Sequence, residues 1–277
     1  MKKQHSIAIV NDISGFGRCS ITVALPILCA MKIQCGIVPT AILSNHTGYP
    51  DYTLLDFTEH MDAYLDKWKS LQFSFDGIYT GYLGSKDQLS VIRRMLKNFD
   101  FQKVIVDPVM GDDGVLYPAY TPEMCTSLKK LVTHSTLTTP NVTELCFLTD
   151  TPYREDITEN EILHMCRLLR DSGAKQIVVT GIVKGEEIGN AIYEEDHFEV
   201  LYSKRILPLR PGTGDVFSAI LAGESLLNIP LTESVKTAAN FIETCLITSS
   251  EMDVPINDGV CFEEHLDMLF PKKRDMC

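Results

Sequence analysis

The segment Arg210-Pro-Gly-Thr-Gly-Asp-Val-Phe-Ser-Ala-Ile-Leu-Ala-Gly223 sets two glycines around a threonine, then an aspartate, then small and apolar residues at helical spacing. That order predicts a tight turn opening into a helix. Glycine lets backbone N–H groups approach a ligand closely, because no Cβ stands in the way. The first N–H groups of a helix have no partner inside it, and its dipole favours negative charge there. Two readings of Asp215 follow. Aspartate is a favoured N-cap, so it could serve only to cap the helix. Alternatively, Gly212, Thr213 and Gly214 present N–H groups to a phosphoryl group in transit, while Asp215 takes a proton from the acceptor hydroxyl.

Such a turn needs a scaffold, and the hydrophobic pattern supplies one. Strand-like apolar runs fall at 6–10, 36–42, 77–80, 104–107, 137–139 and 177–180, with helix-like stretches at 21–31, 54–71, 88–97, 122–132 and 159–172. Strand and helix in alternation are the signature of a parallel sheet covered on both faces. Beyond Thr180 the rhythm changes to a hairpin, 191–194 and 198–202, around Glu195-Asp-His197, then helices at 216–227, 233–249 and about 262–270. The expectation is an α/β fold: one domain over residues 1–277, a three-layer α/β/α sandwich with a mostly parallel central sheet. Residues 111–121 read as a longer loop able to cover a site.

In such sheets ligands bind beyond the carboxyl ends of the strands. Those ends read Asn11-Asp12, Ser44-Asn-His-Thr47, Thr80-Gly-Tyr-Leu-Gly-Ser85, Asp107-Pro-Val-Met-Gly-Asp112, Pro140-Asn-Val-Thr-Glu144 and Thr180-Gly181. Any one could be an ordinary turn. Together with the Gly-Thr-Gly-Asp turn they point to one polar, acidic rim. A dinucleotide fingerprint fits poorly, because Ser20 stands where Gly15-Phe-Gly17 calls for a third glycine and no acid closes the second strand. No Walker-type P-loop occurs, so ATP would need a different device.

Bulk properties narrow the field further. A net charge of −12 argues against a broad basic face for nucleic acid. It also demands a local solution for binding a polyanion: Mg²⁺, a helix N-terminus and a few cations such as Lys184, Lys204 or Arg210. Strict dependence on a divalent metal is therefore expected. No run of about 18 apolar residues would span a membrane, and the apolar run at 7–10 is too short for a signal peptide, although Lys2 and Lys3 precede it. Nine cysteines without close spacings, the last of them Cys277, suggest free thiols in a reducing, cytoplasmic setting rather than zinc or redox motifs.

With these motifs in view, the chain resembles the ribokinase superfamily and, within it, the pyridoxal (vitamin B6) kinases. Ser44-Asn-His-Thr47, Gly81-Tyr-Leu-Gly-Ser85, Asp107-Pro-Val-Met-Gly111, Pro140-Asn-Val-Thr-Glu144 and Gly212-Thr-Gly-Asp215 carry the likeness, in order along essentially the whole chain. The resemblance implies a ribokinase-like fold and transfer of phosphate from ATP to the 5′-hydroxymethyl group of pyridoxal, pyridoxine or pyridoxamine. It implies Asp215 as the base and Gly212, Thr213 and Gly214 as the anion hole. Asp107, Asn141, Glu144 and Thr180 would serve ATP, with Asp107 and Glu144 acting on Mg²⁺, partly through water. Asp12, Ser14, His46, Thr47, Tyr82 and Tyr117 would line or cover the acceptor pocket.

A homodimer is implied by the resemblance alone, and a monovalent cation is left open. One departure is Asp12, where many pyridoxal kinases carry a serine against the ring. Asp12 could meet a protonated ring nitrogen or favour an amine-bearing acceptor. The alternative is a hydroxymethylpyrimidine kinase of thiamine synthesis, which commonly has cysteine in the place of Asp215. A sugar kinase ranks third. A non-catalytic sensor would have lost its carboxylates, whereas Asp107, Glu144 and Asp215 are all present.

Overall fold

The computed structural model describes residues 4–118 and 120–271; Lys2, Lys3 and Cys277 lie outside them. In chain order the first half contains β1 (Ser6–Ser14), α1 (Ile21–Ala30), β2 (Gln34–Leu43), β3 (Leu54–Asp56), α2 (Thr58–Ser70), β4 (Gly77–Thr80), α3 (Lys86–Asn98) and β5 (Lys103–Val106). A small hairpin, β6 (Gly111–Asp112) and β7 (Val115–Leu116), precedes α4 (Pro122–Val132), β8 (Leu137–Thr138), α5 (Val142–Thr149) and α6 (Glu159–Ser172). Then come β9 (Gln176–Lys184), β10 (Glu187–Glu194), β11 (His197–Lys204), α7 (Thr213–Leu226) and α8 (Leu231–Glu251).

Nine strands form one sheet in the order β11-β10-β9-β8-β5-β4-β1-β2-β3. The six strands from β9 to β2 run parallel, and antiparallel strands flank them at both ends. Alternation along the strands sends side chains to two separate cores. Ile7 and Ile9 of β1 pack with Val23, Ile27, Ile220 and Phe241 from α1, α7 and α8. Ala8 and Val10 pack on the other face with Met61, Ile92, Leu128 and Ile162 from α2, α3, α4 and α6. Period-two side-chain alternation in a strand buried on both faces requires this division. The α/β/α sandwich expected from the sequence is the observed architecture.

Some boundaries differ from expectation. The helix expected over 54–71 begins only at Thr58: Leu54–Asp56 instead pairs antiparallel with β2 as an edge strand, with Leu54 and Leu55 exposed. Helix α5 was not anticipated; the span 262–270 holds a 3₁₀ helix, Glu263–Leu269. The loop expected over 111–121 contains the β6–β7 hairpin.

The order in which strands are added switches sides at β1, whose neighbours are β2 on one side and β4 on the other, both parallel to it. Ligand crevices in open α/β sheets form at such a switch point, beyond the carboxyl ends. A register shift between Asn11 and Ile13 bends the end of β1 at that place.

Candidate active site

Two glycines at the start of α7 answer to different demands. Gly212 is the cap, with φ 82°, and a Cβ there would stand 1.9 Å from the Arg18 carbonyl oxygen. The chain itself therefore requires glycine at 212. At Gly214 an added Cβ would meet nothing within 4 Å, so the open space beside it is available to a ligand. The first helical bond runs from Val216 N–H to the Gly212 carbonyl at 3.0 Å, which leaves the N–H groups of Thr213, Gly214 and Asp215 ahead of it. Asp215 is thus the third residue of the helix and not its cap.

Asp215 is half-buried as a residue. Burial pushes its carboxyl up to about 6, with the Asp12 carboxylate adding to the rise; the Ser20 N–H and the Asn11 amide oppose it. The Asn11 side chain is fully buried, and its Nδ2 lies 3.5 Å from Asp215 Oδ1. Its Oδ1 accepts from the N–H groups of Tyr82 at 2.8 Å and Asp12 at 3.0 Å.

The residues assigned to the acceptor pocket surround the ends of β1, β2 and β4. Asp12 is buried and accepts from Ser14 Oγ at 3.1 Å, and burial raises its carboxyl above the usual range. Tyr82 is half-buried, packs edge-on against Tyr120 at 6.4 Å, and lies in the field of Asp12 after its burial is counted. Thr47 is exposed. His46 is buried with both ring nitrogens occupied: Nδ1 accepts from Gly48 N–H at 3.0 Å, and Nε2 contacts the Asn257 carbonyl at 2.5 Å. With Nδ1 accepting, it is Nε2 that donates to the Asn257 carbonyl. Gly17 and Gly48 make room for it, since a Cβ at either would fall within 2.6 Å of a ring carbon.

Around this pocket the stretch after α8 acts as a strap that sequence reasoning missed. Tyr49 Oη donates to Asp258 Oδ1 at 2.5 Å, and Arg18 donates to the Asp258 carbonyl at 3.2 Å from both N and Nη1. Arg210 was expected as a phosphate cation. It is buried instead, and its guanidinium donates to the carbonyls of Pro255, Gly259, Ser249 and Val254. Lys184 sits over the Tyr202 ring at 5.0 Å and pairs with Glu159 at 3.7 Å.

On the other side of Asp215 lie the residues assigned to the nucleotide. Asp107 is buried, and its carboxyl is raised well above the carboxylate range by burial and by the charge of Asp215; hydroxyls of Ser218 and Thr139 oppose the rise. Glu144 is raised by burial and by Asp107. Both Glu144 oxygens already accept backbone N–H groups, from Met110 at 3.0 Å and Asn141 at 2.8 Å. The latter belongs to a capping box, with Asn141 Oδ1 accepting from Glu144 N–H at 2.8 Å. Thr180 pairs with Asn141 as an isolated bridge. Burial raises the Tyr117 hydroxyl, and the charges of Glu144, Asp112, Asp107 and Asp215 add to the rise.

Asp12, Asp215, Asp107 and Glu144 therefore form a row in which each carboxyl feels the next. Among the described residues no group of three or more His, Cys, Asp or Glu side chains is arranged to hold a metal alone. Magnesium does not require one: it binds through one or two carboxylates, waters and substrate phosphates. Asp107 and Glu144 fit that use, Glu144 through water because its oxygens are engaged. Among the described residues no helix is long and apolar enough to cross a membrane.

The sequence model of the phosphomethylpyrimidine kinase family matches residues 37–259. A pyridoxine/pyridoxal/pyridoxamine kinase of Bordetella avium is 30% identical over 264 residues, covering 88% of this chain and 86% of its own. A Bacteroides thetaiotaomicron protein described provisionally as a phosphomethylpyrimidine kinase, crystallised with pyridoxal, superposes with TM-score 0.93 at 34% identity over 98% of each chain. The pyridoxal kinase of Lactobacillus plantarum gives TM-score 0.91 at 26% identity, covering 96% of this chain and 97% of its own. On these matches the chain belongs to the phosphomethylpyrimidine kinase family and, within it, groups with the pyridoxal kinases of the ribokinase superfamily.

Proposed function

We propose that this chain transfers the γ-phosphoryl group of ATP to the 5′-hydroxymethyl group of a B6 vitamer. The observation that carries the reading is the junction at α7. Asp215 brings its carboxylate to the helix-start N–H groups of Thr213, Gly214 and Asp215 itself, and the open space beside Gly214 borders them. An alcohol is a poor nucleophile until a base accepts its proton as the new bond forms. Asp215 supplies that base. The vitamer oxygen attacks the γ-phosphorus, the bond to the β,γ-bridging oxygen breaks, ADP leaves, and the proton passes to Asp215. The N–H groups of Gly212, Thr213 and Gly214 face the charge that develops on the moving phosphoryl oxygens.

When bound, Mg²⁺ would neutralise phosphate charge beside Asp107 and, through water, Glu144. Asn141 holds Glu144 in place, and Thr180 beside it borders the nucleotide. Tyr82, Thr47 and the Asp12–Ser14 pair form the acceptor wall, Tyr117 covers the crevice from the hairpin side, and His46 braces the wall through its two internal bonds. The continuous sheet supports reading the chain as one kinase domain, and a cytoplasmic setting and a homodimer are part of the proposal.

The family match also favours a second reading, phosphorylation of hydroxymethylpyrimidine. Aspartate at 215, where cysteine is common in those enzymes, favours the vitamer. Mg²⁺-dependent ADP release should be measured with pyridoxal, pyridoxine, pyridoxamine and hydroxymethylpyrimidine. A higher kcat/KM for any vitamer than for the pyrimidine is expected, and a clear preference for the pyrimidine would replace the proposal with the second reading.

A further inference from the structure

Asn11 has no role in the chemistry above, yet it lies at the switch point where β1 parts from β4. Its amide orientation is determined by its neighbours. The Oδ1 atom accepts two backbone N–H groups, from Tyr82 and Asp12, at 2.8 and 3.0 Å. An amide with its oxygen so occupied must present its NH₂ group on the other side. That side faces Asp215 Oδ1 at 3.5 Å. The space for it depends on Gly81, where a Cβ would stand 2.3 Å from Asn11 Nδ2. An amide this deeply buried has nowhere else to turn.

We propose that Asn11 is the positioning residue of the Asp215 base, aiming its N–H donors at the carboxylate while the loop after β4 locks its carbonyl. The loop that carries Tyr82 into the acceptor pocket thereby shares one side chain with the group that deprotonates the acceptor. A donor aimed at a carboxylate favours its ionised form. Without that donor, burial and the neighbouring Asp12 charge act on Asp215 with only Ser20 opposing them. The inference rests on Asp215 as base and holds for either acceptor class.

Asn11→Ala removes the amide donor without adding charge and carries the pH readout; should it fail to fold, Asn11→Leu, neutral and of similar size, replaces it. Asn11→Asp keeps an oxygen for the N–H groups of Tyr82 and Asp12 but sets a further acid beside Asp215, which by itself raises the Asp215 carboxyl, so it serves only as the comparison for added charge. The assay is kcat/KM against pH from 5 to 9 with the best acceptor of the wild-type protein, and the acid limb reports the base in the free enzyme. For Asn11→Ala we expect that limb to move up by about one pH unit, which alone costs about twofold at pH 7, and the rest of a roughly tenfold loss of turnover to come from the misaimed carboxylate.

In an Asp215→Asn background the same change should cost less than about twofold, since groups acting as a unit are not additive. An unmoved limb, or a loss of equal size in both backgrounds, would reduce Asn11 to a structural amide and overturn the proposal. A wild-type preference for the pyrimidine would instead count against the vitamer reading, and the Asn11 test would proceed on that acceptor.

Discussion

Replacing the base should make the protein more stable while stopping its chemistry. Burial raises the Asp215 carboxyl from 3.8 to about 6 in the folded chain. Below 3.8 both folded and unfolded states hold the proton, so the group contributes nothing against folding there. As pH rises through the window from 3.8 to about 6, the unfolded chain releases its proton first, and the folded state loses stability relative to it. A window about two pH units wide, at 1.36 kcal/mol per pH unit, sets a ceiling of about 3 kcal/mol at pH 7. Asp215 is half-buried as a residue, and water recovers part of that cost, so about 1–2 kcal/mol is expected.

Asp215→Asn keeps the shape and removes the charge. Its thermal midpoint at pH 7 should exceed that of the wild type by roughly 2–4 °C. Turnover should fall about a hundredfold or more, on the scale of lost general-base catalysis, with ATP binding retained. The decisive readout is the pH dependence of the stability difference, from urea titrations at pH 7, 5 and 4. The gap should shrink to about half by pH 5 and nearly close by pH 4. A variant no more stable than wild type at pH 7, or a gap independent of pH, would refute the reasoning that a strained carboxylate occupies this site.

The two glycines of the turn should respond oppositely. Gly212→Ala, with a Cβ 1.9 Å from the Arg18 carbonyl, should destabilise the chain by about 2 kcal/mol or more in denaturant melts. Gly214→Ala, whose Cβ meets no protein atom within 4 Å, should melt near wild type yet lose about tenfold or more in kcat. Asn141→Ala breaks the capping box and should cost about 1 kcal/mol in melts. It should also raise the Mg²⁺ concentration needed for half-maximal turnover. Asp12→Asn should raise the KM for pyridoxamine about tenfold while changing that for pyridoxine less, the cost of losing a charge-assisted bond; equal effects on both would remove Asp12 from acceptor choice.

How much of this could be read from the sequence varied with the type of signal. Alternation of apolar runs placed β4, α4 and α6 at the bounds observed, because each combines a clear period with a cap or turn residue. Helix α5 has no such period: its eight residues are mostly buried, and no polar face marks it. Its signal was the Asn141/Glu144 spacing, a capping box that also reads as a ligand motif. The edge strand at Leu54–Asp56 escaped because its exposed leucines mimic the lead-in to a helix.

Within the candidate site, Asp215, Gly214 and Asp107 were visible as types in a pattern. The engagement of Arg210 by four carbonyls and of both His46 nitrogens was not, since these depend on the segment after α8 returning across the sheet ends. Asn11 belongs to the same class. Its orientation is set by backbone groups 1 and 71 positions away along the chain, and no spacing encodes that.

The central claim is geometric and can be tested with bound ligands. A crystal structure with a non-hydrolysable ATP analogue, Mg²⁺ and pyridoxal should place the 5′-oxygen within about 3 Å of an Asp215 carboxylate oxygen, with the γ-phosphate against the N–H groups that open α7. A γ-phosphate directed away from that helix start, or a 5′-oxygen beyond reach of Asp215, would contradict the account.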